Sequence, residues 1–88
     1  MRIDRFLFFI RLVKSRTLAQ AIIDEGHVRI DGRRVARSSE EVKAGSVIAL
    51  PLHDQVRILE VLALPSRRGP AEEARRHYRE IDAARRPS

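Results

Sequence analysis

The sequence predicts an α+β domain: two short N-terminal helices packed on a small, mainly antiparallel sheet, with a further helix at the C-terminus. Three observations lead there. Apolar residues recur at helical spacing through residues 3–25. A tight-hairpin signature, "GHVRIDGRRV", follows at residues 26–35. Short apolar runs bounded by Gly and Pro then occupy residues 47–62.

Each element can be justified in turn. Ile3, Phe6, Leu7 and Ile10 fall at i, i+3, i+4 and i+7, one face of a helix. Asp4 suits the positive end of its dipole. Phe8 and Phe9 lie off that stripe and are free to pack on a second element, with Phe8 a candidate for base stacking. Lys14-Ser15-Arg16 interrupts the pattern, and Ser15 is a candidate N-cap. The second helix carries a stripe of Leu18, Ala19, Ile22 and Ile23, and Gly26 is placed to end it in the left-handed conformation. Residues 3–25 therefore read as two helices joined by a basic corner.

In the hairpin, Asp31-Gly32 supplies the two turn positions that need positive φ. If Ile30 and Arg33 flank the turn, Val28 faces Val35 and Arg29 faces Arg34. Both of these arginines then project from the face opposite Val28. Residues 43–46 read as a turn and 47–50 as a strand ended by Pro51. A loop over 52–55 leads to the longest strand, 56–62, before Pro65. Arg67-Arg68-Gly69-Pro70 reads as an exposed linker. Pro70, Glu72 and Glu73 suit the first turn of a helix whose apolar stripe is Ala71, Ala74, Tyr78 and Ile81. Residues 85–88 are expected to fray. The organisation is thus a main unit over residues 1–66 and a basic linker with helical extension over 67–88.

Charge narrows the function. The net charge is +6, and of 18 basic residues 16 are arginine. Arginine offers a planar fork of donors that matches phosphate and stacks on bases. The charge is uneven: net +5 over residues 1–37, −2 over 38–66 and +3 over 67–88. The two ends are basic and the middle is not, which suggests two functional basic segments aimed at a polyanion.

Several classes are disfavoured. No cysteine is present, so neither a disulfide framework nor a thiolate metal site is available. No apolar run approaches the roughly 20 residues of a membrane span, and no signal-peptide pattern is seen, which predicts a cytoplasmic protein with no membrane partner. His27, His53 and His77 form no helical metal pair, no Gly-rich phosphate loop occurs, and no serine has a histidine near it in sequence. Neither catalysis nor a cofactor or metal is expected. The candidate surface is instead Arg5, Arg11, Lys14, Ser15, Arg16, Gln20, His27, Arg29, Arg33, Arg34 and Arg37. Arg67, Arg68, Arg75 and Arg79 form a secondary set.

The stretch "RIDRFLFFIRLVKSRTLAQAIIDEGHVRIDGRRV" resembles the two-helix-plus-hairpin core of the RNA-binding domain named after the fourth small-subunit ribosomal protein. The shared features are Arg2-Ile3-Asp4-Arg5, the Lys14-Ser15-Arg16 corner, Ala19-Gln20, Gly26 and Val28-Arg29-Ile30-Asp31-Gly32. "VKAGSVIAL" resembles the segment that follows, with Ser46 where the family often has aspartate. "SRRGPAEEARRHYREI" is similar to the extension of the bacterial ribosome-associated heat-shock protein fifteen family, through Arg67-Arg68-Gly69-Pro70, Glu73-Ala74 and Tyr78. This resemblance implies the alpha-L RNA-binding fold. It further implies a protein that binds structured RNA, ribosomal RNA of the large subunit, and acts on subunits blocked by a nascent chain. It also brings a rival reading, since the same domain guides RNA-modifying enzymes. The chain would then work beside a separate enzyme, or as an adaptor on an acidic protein partner. A monomer is expected. Asp4 is read as structural: a dipole partner, or an anchor for Arg16.

Overall fold

A computed structural model describes residues 1–81; the fraying expected at 85–88 lies outside the described residues. The elements follow the order α1 (Ile3–Phe9), α2 (Arg16–Asp24), β1 (Arg29–Ile30), β2 (Arg33–Arg34), β3 (Val47–Leu52), β4 (Gln55–Val61), α3 (Ala71–Ala74) and β5 (Tyr78–Ile81). The strands form one antiparallel sheet in the order β2-β1-β3-β4-β5. One cluster of buried residues joins the helices to the sheet: Ile3, Phe6, Leu7, Ile10, Ala19 and Ile23 from the helices, and Val28, Val35, Ile48, Leu50, Leu59 and Val61 from the sheet side.

Both ends of α2 are closed by local chemistry. The hydroxyl of Ser15 accepts a hydrogen bond from the Leu18 amide at 3.0 Å, the expected N-cap of α2. Gly26 follows α2 at φ 87° and its amide donates to the Ile23 carbonyl. At the end of α1 the same manoeuvre falls to Arg11, at φ 64°. Its amide donates to the Phe8 carbonyl, and the Leu12 amide donates to the Leu7 carbonyl, the paired bonds of a Schellman ending. The start of α1 is held from outside the helix, by the carbonyls of Glu40 and Ser38.

The hairpin has the expected register, Arg29 opposite Arg34 and Ile30 opposite Arg33. Asp31 and Gly32 lie at φ 52° and 82°. The Asp31 carboxylate also accepts from the Val47 amide at 2.9 Å, tying the turn to β3. Ser46 is buried, and its hydroxyl accepts from the Lys43 amide at 3.1 Å, so serine closes the turn that precedes β3.

Three expectations are corrected. Pro51 does not end β3, which runs on to Leu52 and turns directly into β4 through His53 and Asp54, at φ 51° and 64°. In a two-residue hairpin the pair beside the turn exchanges both hydrogen bonds. The next pair, Pro51 and Val56, is then the non-bonded one, so β4 makes no demand on the missing N–H. β1 pairs β3 only at Ile48 and Ala49, so no strand lies on the other side either. In α2, Ala19 and Ile23 are buried and the half-buried Ile22 packs against the core, as expected, but Leu18 is exposed. At the C-terminus the helix is a single α-turn, prolonged by a 3₁₀ turn at Arg75–His77. Tyr78 and Ile81, expected on its stripe, belong to β5, where they pair with Val61 and Ile58. The open edge of β4 offers backbone partners that a longer helix could not use.

Candidate nucleic-acid interface

The predicted basic residues occupy the helix corner, the hairpin and the loop after it. Arg5 lies on the exposed side of α1, its guanidinium 5.5 Å from the centre of the Phe9 ring. Lys14 is exposed at the corner. Arg29 and Arg34 pair across the hairpin and are exposed, as are His27 and Arg37. The Arg29 guanidinium leans back on the Gly32 carbonyl at 3.4 Å. That of Arg34 lies over Gly26, where an added Cβ would come within 3.3 Å of it. Gly26 therefore does two jobs, ending α2 and leaving room for a hairpin arginine. Among the described residues Arg5, Lys14, Arg29, Arg34 and Arg37 have no carboxylate within ion-pair distance.

Other predicted residues are engaged. The Ser15 oxygen is the α2 cap. Gln20 donates its amide to Asp4 at 2.9 Å, and Arg16 stands 3.6 Å from the same carboxylate. Arg33 pairs with Glu40 at 2.7 Å. Glu40 also accepts from the amides of Ala36 and Arg37, which folds the loop onto its own carboxylate. The Arg33 hydrogen bond, then that of Ala36, holds Glu40 below the usual carboxylate range. Arg11 Nε donates to the Gly69 carbonyl at 2.6 Å.

The secondary set divides in the same way. Arg67 pairs with Glu73, and Arg79 with Glu60. Arg68 donates to the Phe8 carbonyl at 3.0 Å and covers the Phe8 ring at 4.6 Å, so Phe8 packs on the C-terminal segment. Arg75 is exposed.

Sequence reasoning missed Arg2. Its side chain grips the fully buried Asp4 carboxylate through two donors, at 3.1 and 3.0 Å. Burial pushes the Asp4 carboxyl upward, but the hydrogen bonds from Gln20, Arg2 and the Arg5 amide outweigh it and hold the group below its ordinary value. The available signal was the i, i+2 Arg-x-Asp spacing at the start of a helix, too common to single out.

Comparison with known proteins agrees with this architecture. The S4 domain family model matches residues 1–48. A heat shock protein 15 homolog from Haemophilus influenzae is 30% identical over 96% of this chain, which spans 63% of that protein's length. The RQC P-site tRNA stabilizing factor of Bacillus subtilis is 42% identical over 57% of this chain and 57% of its own length. Among solved structures, the trimeric heat shock protein 15 of Vibrio cholerae superposes with a TM-score of 0.86 at 30% identity, covering 93% of this chain and 82% of that one. Among the described residues, no helix is long and apolar enough to cross a membrane.

Proposed function

This chain belongs to the RNA-binding S4 domain family, and on that premise we propose that it is a non-enzymatic binder of large-subunit ribosomal RNA. Its role would be in the rescue or recycling of subunits blocked by a nascent chain. The observation that carries this reading is the set of five exposed cations without carboxylate partners among the described residues, Arg5, Lys14, Arg29, Arg34 and Arg37, on α1, the corner before α2, the hairpin and the loop that follows. An exposed cation with no carboxylate partner keeps most of its donors available for phosphate. The names of the relatives support a ribosomal setting: one is a heat shock protein 15 homolog, another a factor that stabilises P-site tRNA. The chain covers under two thirds of both, so their activities enter only as part of this proposal. Arg67, Arg75 and Arg79 are assigned to the rim of the surface. The protein acts in the cytoplasm, as a monomer.

Crosslinking in cells, followed by sequencing of the attached RNA, tests the target. Large-subunit ribosomal RNA is the expected product; recovery of transfer RNA alone would move the reading toward the tRNA-stabilising relative. In vitro, affinity for large-subunit RNA should fall by about 0.7–0.9 log units per log unit of salt for each phosphate contact. A flat salt profile overturns the phosphate reading.

A further inference from the structure

Asp4 is fully buried near the start of α1, and four residues converge on it, Arg2, Arg5, Gln20 and Arg16. The Arg2 guanidinium takes both oxygens, Nε to Oδ1 at 3.1 Å and a terminal nitrogen to Oδ2 at 3.0 Å. The Arg5 amide donates to Oδ1 at 2.7 Å and Gln20 Nε2 to Oδ2 at 2.9 Å. These bonds already satisfy the buried carboxylate. Arg16 comes fourth, its terminal nitrogen 3.6 Å from Oδ2, beyond hydrogen-bond distance. Its donors remain unused by Asp4, although the carboxylate's charge draws it in.

The two arginines differ from Asp4 in exposure: 43% of each side chain faces solvent, while the acid is covered. Two guanidinium nitrogens near one oxygen atom are within reach of a single phosphate. Alone they would repel each other, and each would lose rotamer freedom on meeting a ligand. Asp4 offsets the repulsion and fixes both in advance. We propose that Arg2 and Arg16 form a two-guanidinium clamp for one RNA phosphate, with Asp4 as the positioning residue that holds the pair. The proposal rests on the RNA-binding reading above and adds Arg2 to its contacts.

The test uses the full chain and purified large-subunit ribosomal RNA, titrated at several salt concentrations, with thermal melts confirming that each variant is folded. Arg2→Gln and Arg16→Gln should each weaken binding about tenfold and lower the salt slope by about one contact. Because one phosphate is shared, the double variant should lose little more slope than either single variant. Asp4→Asn raises the net positive charge, which by itself favours RNA. It should nonetheless weaken binding several-fold in the parent, and should have no further effect in the Arg2→Gln/Arg16→Gln background. The clamp is overturned if Arg2→Gln binds like the parent, if the two losses add fully, or if Asp4→Asn binds as well as the parent. Should Asp4→Asn fail to fold, the arginine pair alone decides. A parent protein that binds no RNA would instead overturn the broader reading.

Discussion

On α1, the corner before α2, the β1–β2 hairpin and the loop after it, Arg5, Lys14, Arg29, Arg34 and Arg37 stand exposed with no carboxylate in ion-pair range among the described residues. From β4 to β5, by contrast, Arg57, Arg67 and Arg79 each lie against one glutamate: Glu80, Glu73 and Glu60. Arg68 is taken up by the Phe8 carbonyl and ring. Only Arg75 and Arg76, on the 3₁₀ turn, break the pattern there. Arginine count is therefore a poor guide to RNA contacts in this molecule. What differs is how the acid is shared: beside the helices and hairpin Asp4 and Glu40 engage Arg2, Arg16 and Arg33 and leave other cations unpaired, whereas from β4 to β5 Glu60, Glu73 and Glu80 each hold one arginine and tie the fold together.

The largest expected effect tests that division directly. Reversing Arg29 and Arg34 to glutamate removes two charge-assisted contacts, each about 1.5–3 kcal/mol, and adds repulsion. Affinity for large-subunit RNA should fall by roughly two orders of magnitude or more, with little change in melting temperature, since neither side chain joins the core. The same reversal at Arg75 and Arg79 should weaken binding less. If the C-terminal pair proves the more damaging, the centre of the site lies in the extension. The division between the regions then fails.

The next effect runs the other way. Arg11 and Arg68 cross-link the end of α1 to the segment before α3, one through the Gly69 carbonyl and the other through the Phe8 carbonyl and ring. Arg68→Ala should destabilise the protein by about 1–3 kcal/mol, from a charged hydrogen bond and a cation–π contact. It should cost little RNA affinity at a temperature where the variant remains folded. Chemical denaturation and filter binding on the same sample separate the two. A variant as stable as the parent but weak on RNA would return Arg68 to the contact surface.

The hairpin register, the Ser15 cap and the Gly26 ending were legible because each depends on chemistry within about ten residues. Period-two alternation, a side-chain oxygen and a left-handed glycine act locally. Long-range partners were not legible. Nothing near Arg68 in the chain points to Phe8, and nothing near Gln20 points to Asp4. Tyr78 and Ile81 misled for a related reason. Their spacing suits a helix, but whether residues 78–81 coil or extend is decided by the open edge of β4, an element some 20 residues away. Pro51 misled because its cost depends on which side of the strand is paired.

The smallest effect concerns one ion pair of the C-terminal region. Arg57 Nε donates to Glu80 across β4 and β5 at 2.8 Å. The Arg57 hydrogen bond, partly opposed by burial and aided by the guanidinium charge, holds the Glu80 carboxyl below its ordinary value. A carboxyl whose folded value lies below its unfolded one stabilises the fold above the unfolded value, about 4.3 for glutamate. That contribution fades as pH falls through the lowered folded value. Glu80→Gln should therefore cost about 0.2–1 kcal/mol at neutral pH, as partly exposed pairs do. The difference from the parent should shrink as the pH is taken well below 4. RNA affinity should stay at the parent value, because the substitution leaves the exposed cations of α1, the corner and the hairpin in place. A loss of affinity comparable to that of the hairpin reversals would mean that the β4–β5 pair shapes the RNA surface after all.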